Sequence, residues 1–178
     1  MTGEVNGRAW VFGDDVDTDA IIPARYLHLP SLEEMAGHAM EPLEPTFGSR
    51  ARPGDVIVAG VNFGSGSSRE FAVLVWKQLQ VGAILAESFA RTFYRNALNN
   101  GILVLEVPGI TEHAATGDQI EVQPQRGQIR NLTRGTTLKT SPLPDFAQQL
   151  LEAGGLKGFL LQLQEEHGSS TRGGSGRS

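Results

Sequence analysis

The sequence predicts an α/β domain: a mostly parallel sheet flanked by helices, with a small β section added. Three observations predict it. Between residues 55 and 107, three short apolar runs alternate with two stretches of helical periodicity. Strand, helix, strand, helix, strand in that order is the pattern of a parallel sheet. After residue 118 the pattern changes to three short strand-like segments separated by turn residues, which reads as a meander.

Taken in order, Arg8–Phe12 reads as a strand that ends at Gly13. An acidic loop follows, Asp14-Asp15-Val16-Asp17-Thr18-Asp19, then Ala20-Ile21-Ile22-Pro23. Residues 24–53 form a long connection with weak helical periodicity near Ser31–Met40, the kind of segment that often carries binding residues. Asp55–Ala59 is a buried-type strand leading into Gly60. From Ser67 to Leu79, apolar residues at Phe71, Leu74, Val75 and Leu79 predict a helix. Gly82–Ala86 is the next strand. Ser88–Asn99 reads as a helix stopped by Gly101, and Ile102–Val107 is a further strand. Gln119–Val122, Gln128–Leu132 and Thr136–Thr140 make the meander, and Asp145–Ala153 and Leu156–Glu166 are closing helices. Residues 1–166 are expected to form a single domain, and the Gly/Ser-rich stretch 167–178 a disordered tail.

Composition excludes several classes. A net charge of −5 argues against a nucleic-acid surface, which needs clustered Lys and Arg. The chain has no cysteine, which excludes disulfides, Cys-ligated zinc and an iron–sulfur cluster held by this chain alone. His28, His38, His113 and His167 show no paired metal-ligand spacing. No apolar run approaches the length of a membrane span and the N-terminus lacks a basic-then-apolar signal, so a cytoplasmic location is expected.

The chemistry concentrates at Gly64-Ser65-Gly66-Ser67-Ser68-Arg69-Glu70, between an expected strand and an expected helix. In open α/β sheets ligands bind beyond the carboxyl ends of strands. Glycines there let the backbone approach a ligand, and a helix N-terminus offers free N–H groups to an anion. Arg69 adds a cation able to grip a carboxylate through two parallel hydrogen bonds. Ser67-x-x-Glu70 is equally a capping box, with Ser67 as no more than an N-cap. Capping does not account for the glycines together with Ser68 and Arg69. The turn fits neither a Walker A loop, which needs Gly-Lys, nor Gly-x-Gly-x-x-Gly, nor the nucleophile elbow Gly-x-Ser-x-Gly.

Three segments, Asp15–Pro23, Gly64–Glu70 and Ser88–Asn96, resemble in order the motifs of the aconitase superfamily's swivelling domain. The likeness covers roughly residues 8–165 and is nearest to the stand-alone small subunits of 3-isopropylmalate dehydratase and homoaconitase. It implies a swivelling β/β/α domain of the aconitase C-terminal type, closing over a large catalytic subunit in a heterodimer or heterotetramer. No cofactor is expected in this chain; the resemblance places a [4Fe–4S] cluster on the large subunit's cysteines. The pair would dehydrate a hydroxy-dicarboxylate or tricarboxylate and rehydrate the alkene, moving the hydroxyl to the neighbouring carbon. Many relatives carry cysteine where this chain has Ser65, a small-for-small change.

By position, Ser67 matches the family's general base, and Ser68 and Arg69 match substrate-carboxylate ligands. An isolated serine hydroxyl is a poor base, so positive potential from a helix N-terminus and Arg69 is needed to stabilise its alkoxide. Thr18-Asp19 matches an active-site pair, with Asp19 orienting other groups; the same residues also read as an Asx-type turn. Arg91, Tyr94 and Arg95 share one helix face and read as a solvated or domain-bracing surface. The resemblance puts the substrate-discriminating loop at Tyr26–Ser31. Arginine at the position of His28 accompanies a distal carboxylate, and apolar residues accompany an isopropyl group. Here His28, followed by Leu29, is neither: neutral it suits an isopropyl group, protonated a carboxylate, and it also reads as a surface residue. The reading leans to isopropylmalate, with homoaconitate as the alternative. A stand-alone anion-binding or regulatory module is the reading from a different class. The acidic charge counts against nucleic acid, and neither nucleic acid nor membrane is an expected partner.

Overall fold

A computed structural model describes residues 3–170 of the chain. Its strands are β1 (Val5–Val11), β2 (Val56–Ala59), β3 (Ala83–Ala86), β4 (Val104–Glu106), β5 (Gln119–Gln123), β6 (Gln128–Asn131) and β7 (Thr136–Lys139). They form one sheet in the order β4-β3-β2-β1-β5-β6-β7. The helices are α1 (Thr18–Ile21), α2 (Leu32–Ala36), α3 (Phe47–Arg50), α4 (Phe71–Gln78), α5 (Arg91–Asn99), α6 (Asp145–Glu152) and α7 (Leu156–Ser170).

Every residue of β2 and β3 is fully buried, which is why both read as unbroken apolar runs. β3 pairs in parallel with β2 on one side and with β4 on the other, with α4 and α5 as the crossovers. β1 joins the two halves of the sheet. Its end, Ala9–Val11, runs parallel to Val56–Val58, and its start, Val5–Arg8, pairs antiparallel with Gln119–Val122. The meander continues outward as antiparallel β5, β6 and β7. The expected α/β sheet with its small β section is therefore present, as one mixed sheet with three parallel and three antiparallel pairings and not a mostly parallel one, because the meander pairs directly onto β1. A row of ring contacts crosses the core from Trp10 through Phe47 and Trp76 to Phe63 and Phe93.

Several elements differ from the sequence expectation. The acidic loop contains a helical turn, α1, capped where the Asp17 carboxylate accepts from Ala20 N at 2.7 Å. α3 has no counterpart in the sequence reading. α4 begins at Phe71 and not at Ser67, and no side chain caps it. α5 begins at Arg91 and not at Ser88, because Phe63 and Phe89 form a parallel bridge that holds the preceding residues extended. α7 continues through Ser170, past the expected domain end at residue 166, and the rest of the expected tail, 171–178, lies outside the described residues.

The meander is pinned by Asp118, whose carboxylate accepts from Asn131 Nδ2 at 2.8 Å, Arg134 Nε at 2.9 Å and Ala115 N at 3.0 Å. The Asn131 amide, then the Ala115 N–H and the Arg134 charge, hold its pKa below the ordinary 3.8. A carboxylate depressed on folding adds stability above its unfolded pKa and loses it as pH falls through the folded one. Asp118→Asn is expected to lower the melting temperature at neutral pH, with the gap to the parent narrowing below about pH 4. Thermal melts across that range check it, and a gap that stays constant into acid overturns it.

Candidate active-site cleft

The loops that leave β1, β2 and β3 lie side by side at the carboxyl ends of these parallel strands, where a ligand site is expected. The first two are laced together. Asp14 Oδ1 accepts from Val61 N at 2.9 Å, Asn62 Nδ2 donates to Asp15 Oδ1 at 3.1 Å, and Gly64 N donates to Val16 O at 2.7 Å. The second and third are joined where Phe63 N donates to Ser88 O at 3.0 Å and Ala90 N to Phe63 O at 2.9 Å. Each motif segment of the sequence thus arrives on its own strand and meets the others through main-chain bonds.

The same lacing delays α4. Thr18 N donates to Ser65 O at 2.8 Å and Thr18 Oγ1 to Ser67 O at 2.9 Å, drawing residues 65–67 out of helical geometry. The Ser67–Glu70 capping box is therefore not formed. Among the described residues the Ser67 and Ser68 hydroxyls have no hydrogen-bond partner, and both residues are exposed. The helix whose first turn faces this turn is α5. Its N-cap, Ala90, offers no side-chain acceptor, so its first N–H groups remain available.

Between the turn and α5 lies a cleft of about 110 Å³, lined by Thr18, Gly66, Ser68, Arg69, Arg91 and Thr92 among others. That is room for about four waters at roughly 30 Å³ each, well below the roughly 300 Å³ at which sites for small molecules begin. Arg69 is held in place: its NH1 donates to Asp19 Oδ1 and to Ile22 O, both at 3.2 Å. Asp19 also accepts from Ala24 N at 3.2 Å. That backbone bond, then the Arg69 guanidinium, holds the Asp19 pKa below the usual carboxylate value, so Asp19 stays an anion that orients Arg69.

Thr18, Ser68 and Arg69 are brought together on the cleft, with Asp19 behind Arg69. Ser67 stands between two cleft residues, Gly66 and Ser68, and is exposed. His28 and Leu29 are not on the cleft. His28 is exposed, and Leu29 packs against the core. Their loop is nevertheless tied to the site through Ile22 O and Ala24 N, and it is braced behind by Tyr26, whose hydroxyl donates to Glu41 at 2.6 Å. Arg91 and Thr92 were missed as cleft residues. The helix-face spacing flagged Arg91 but not which cavity its side chain enters.

Among the described residues no group of three or more His, Asp or Glu is placed to hold a metal ion, and no helix is long and apolar enough to cross a membrane.

Residues 45–109 match the family model of the aconitase C-terminal domain. A small subunit 1 of 3-isopropylmalate dehydratase from Methanopyrus kandleri is 51% identical, across 88% of this chain and 92% of that protein. A methanogen homoaconitase small subunit from Methanothermobacter thermautotrophicus is 50% identical, across 91% and 94%. The crystal structure of a 3-isopropylmalate dehydratase from Methanocaldococcus jannaschii superposes with a TM-score of 0.88 at 39% identity, covering 94% of this chain and 99% of that one.

Proposed function

The chain belongs to the family of 3-isopropylmalate dehydratase small subunits, and we propose that its cleft is one half of an active site completed by a large subunit. In this reading the pair is a cytoplasmic hydro-lyase of leucine biosynthesis that interconverts 2-isopropylmalate and 3-isopropylmalate. The observation that carries it is the meeting of Thr18, Ser68, Arg69 and Arg91 on an open cleft of about 110 Å³, too small to enclose such a substrate alone.

The cleft suits a carboxylate. Arg69, already oriented by Asp19 and Ile22 O, presents its remaining N–H groups, and Ser68 adds a hydroxyl donor. Ser67 takes the proton from the carbon next to a carboxylate. The C–H electron pair forms the double bond as the C–O bond on the neighbouring carbon breaks and hydroxide leaves. Rehydration adds hydroxide to the carbon that lost the proton while Ser67 returns that proton to the carbon that lost hydroxide, so that the net addition is one water with the opposite regiochemistry. With α4 starting at Phe71, the positive potential on Ser67 comes from Arg69 and the uncapped first turn of α5. Large-subunit closure removes bulk water and strengthens those interactions.

This chain has no ligand set for an iron–sulfur cluster: it has no cysteine, and no metal-holding trio appears among the described residues. The [4Fe–4S] cluster is assigned to the large subunit, where it supplies Lewis-acid chemistry at the leaving hydroxyl when bound.

Anaerobic reconstitution with the large subunit tests the reading, comparing dehydration of isopropylmalate, homocitrate and citrate. Isopropylmalate is expected to turn over fastest. Preference for homocitrate instead selects the homoaconitase reading, which the 50% identical methanogen relative favours. Arg69→Lys is expected to raise KM by about tenfold or more, since a point charge replaces a planar fork at a charged hydrogen bond; unchanged kcat and KM would remove Arg69 from the substrate. His28→Arg is expected to raise the homocitrate-to-isopropylmalate activity ratio by about tenfold. An unchanged ratio places specificity outside the 26–31 loop.

A further inference from the structure

A second and larger cavity, about 600 Å³, lies between the outer face of α5, the edge strand β4 and residues 140–144. Its size falls within the roughly 300–1,000 Å³ of small-molecule sites. The wall is divided by chemistry. Phe89, Leu105 and Leu143, each almost wholly buried, give an apolar floor. Arg91 and Arg95, one turn apart on α5, give two cations, and Glu106 at the end of β4 gives an anion.

These charges leave one another alone. Among the described residues neither Arg91 nor Arg95 forms an ion pair or hydrogen bond, although Glu106 lines the same cavity. The Glu106 carboxylate takes only a long bond from Phe89 N, at 3.4 Å, on one oxygen, while its main-chain carbonyl accepts from Thr140 Oγ1. Half-buried Tyr94 adds a hydroxyl; burial and the nearby Glu106 raise its pKa, so it remains a donor. Cations on one wall and an anion on another, unpaired beside an apolar floor, match a ligand that carries a carboxylate and an ammonium next to a short apolar body.

We propose that this cavity binds a small α-amino acid with an apolar side chain. Its carboxylate lies on Arg91 and Arg95, its ammonium on Glu106, and its side chain on Phe89, Leu105 and Leu143. Arg91 also lines the 110 Å³ cleft, so an occupant here touches a residue of the substrate half-site.

Calorimetric titration of the full chain, without the large subunit, tests this with L-norleucine, hexanoate and pentylamine as probes. The last two are norleucine without its ammonium and without its carboxylate. Norleucine is expected to bind saturably, and each single-charge probe about tenfold or more weaker, a difference of about 1.4 kcal/mol. Arg95→Gln and Glu106→Gln are each expected to weaken norleucine by a similar factor without changing the melting temperature, both side chains being at the surface. Hexanoate binding as tightly as norleucine overturns the proposal, as does norleucine binding that both variants leave unchanged. No norleucine binding also overturns it, and if the two variants then weaken assembly with the large subunit, the cavity is a docking surface instead.

Discussion

Ser67→Ala in the reconstituted two-subunit enzyme is expected to lower kcat by about 10²–10⁴-fold, the range a positioned acid–base group contributes. KM and subunit assembly should change little. The structure sharpens this test, because it removes the competing role for the hydroxyl. Had Ser67 capped α4, its loss would cost the fold about 1 kcal/mol. α4 starts at Phe71, and the Ser67 contact that matters to the fold is its carbonyl, which accepts from Thr18 Oγ1 and which alanine retains. The melting temperature of the isolated chain should therefore stay within the range of a neutral surface change, about 0.5 kcal/mol. Ser68→Ala gives the contrast. Ser68 lines the cleft, so its loss is expected in KM more than in kcat. Near-normal turnover by Ser67→Ala removes Ser67 as the base, and a large fall in melting temperature shows that the serine has a structural role instead.

What could be read from the sequence follows from the range of the interactions involved. β2 and β3 were legible because a strand buried on both faces must be apolar at every position, and Val56–Ala59 and Ala83–Ala86 are. The three motif segments were legible as residue strings. Their convergence was not, because the bonds that produce it join residues far apart in the chain, such as Thr18 and Ser67, separated by 49 positions. Local periodicity placed the start of α4 at Ser67 for the same reason. The pattern registers the apolar face from Phe71 onward, but not that Thr18 holds Ser65 and Ser67 in a non-helical turn. Arg91 shows the complementary limit. Its spacing with Arg95 was visible, but a helix face carrying two arginines looks alike whether it meets solvent or a cavity.

Gly64→Ala is expected to lower the melting temperature of the isolated chain by about 4–20 °C, at roughly 2–4 °C per kcal/mol for a domain of this size. Two costs combine. Gly64 has φ 83°, a left-handed conformation that charges an L-residue about 1–2 kcal/mol. A Cβ there would also stand 2.2 Å from Phe93 Cγ and 2.4 Å from Phe93 Cβ. Phe93 has no easy retreat, since its ring packs 5.2 Å from Phe63 and stacks on Phe89, and the start of α5 is tied back through Ala90 N to Phe63 O. Gly64 cannot withdraw either without giving up its 2.7 Å bond to Val16 O. Forcing a methyl into such packing costs about 1–3 kcal/mol more. Gly66→Ala separates the two costs. Gly66 has φ 93°, but its Cβ would meet nothing closer than Thr18 Oγ1 at 3.3 Å, so mainly the conformational cost applies and the fall should be clearly smaller. Equal losses for the two variants would show that the close approach to Phe93 is not what requires glycine at position 64.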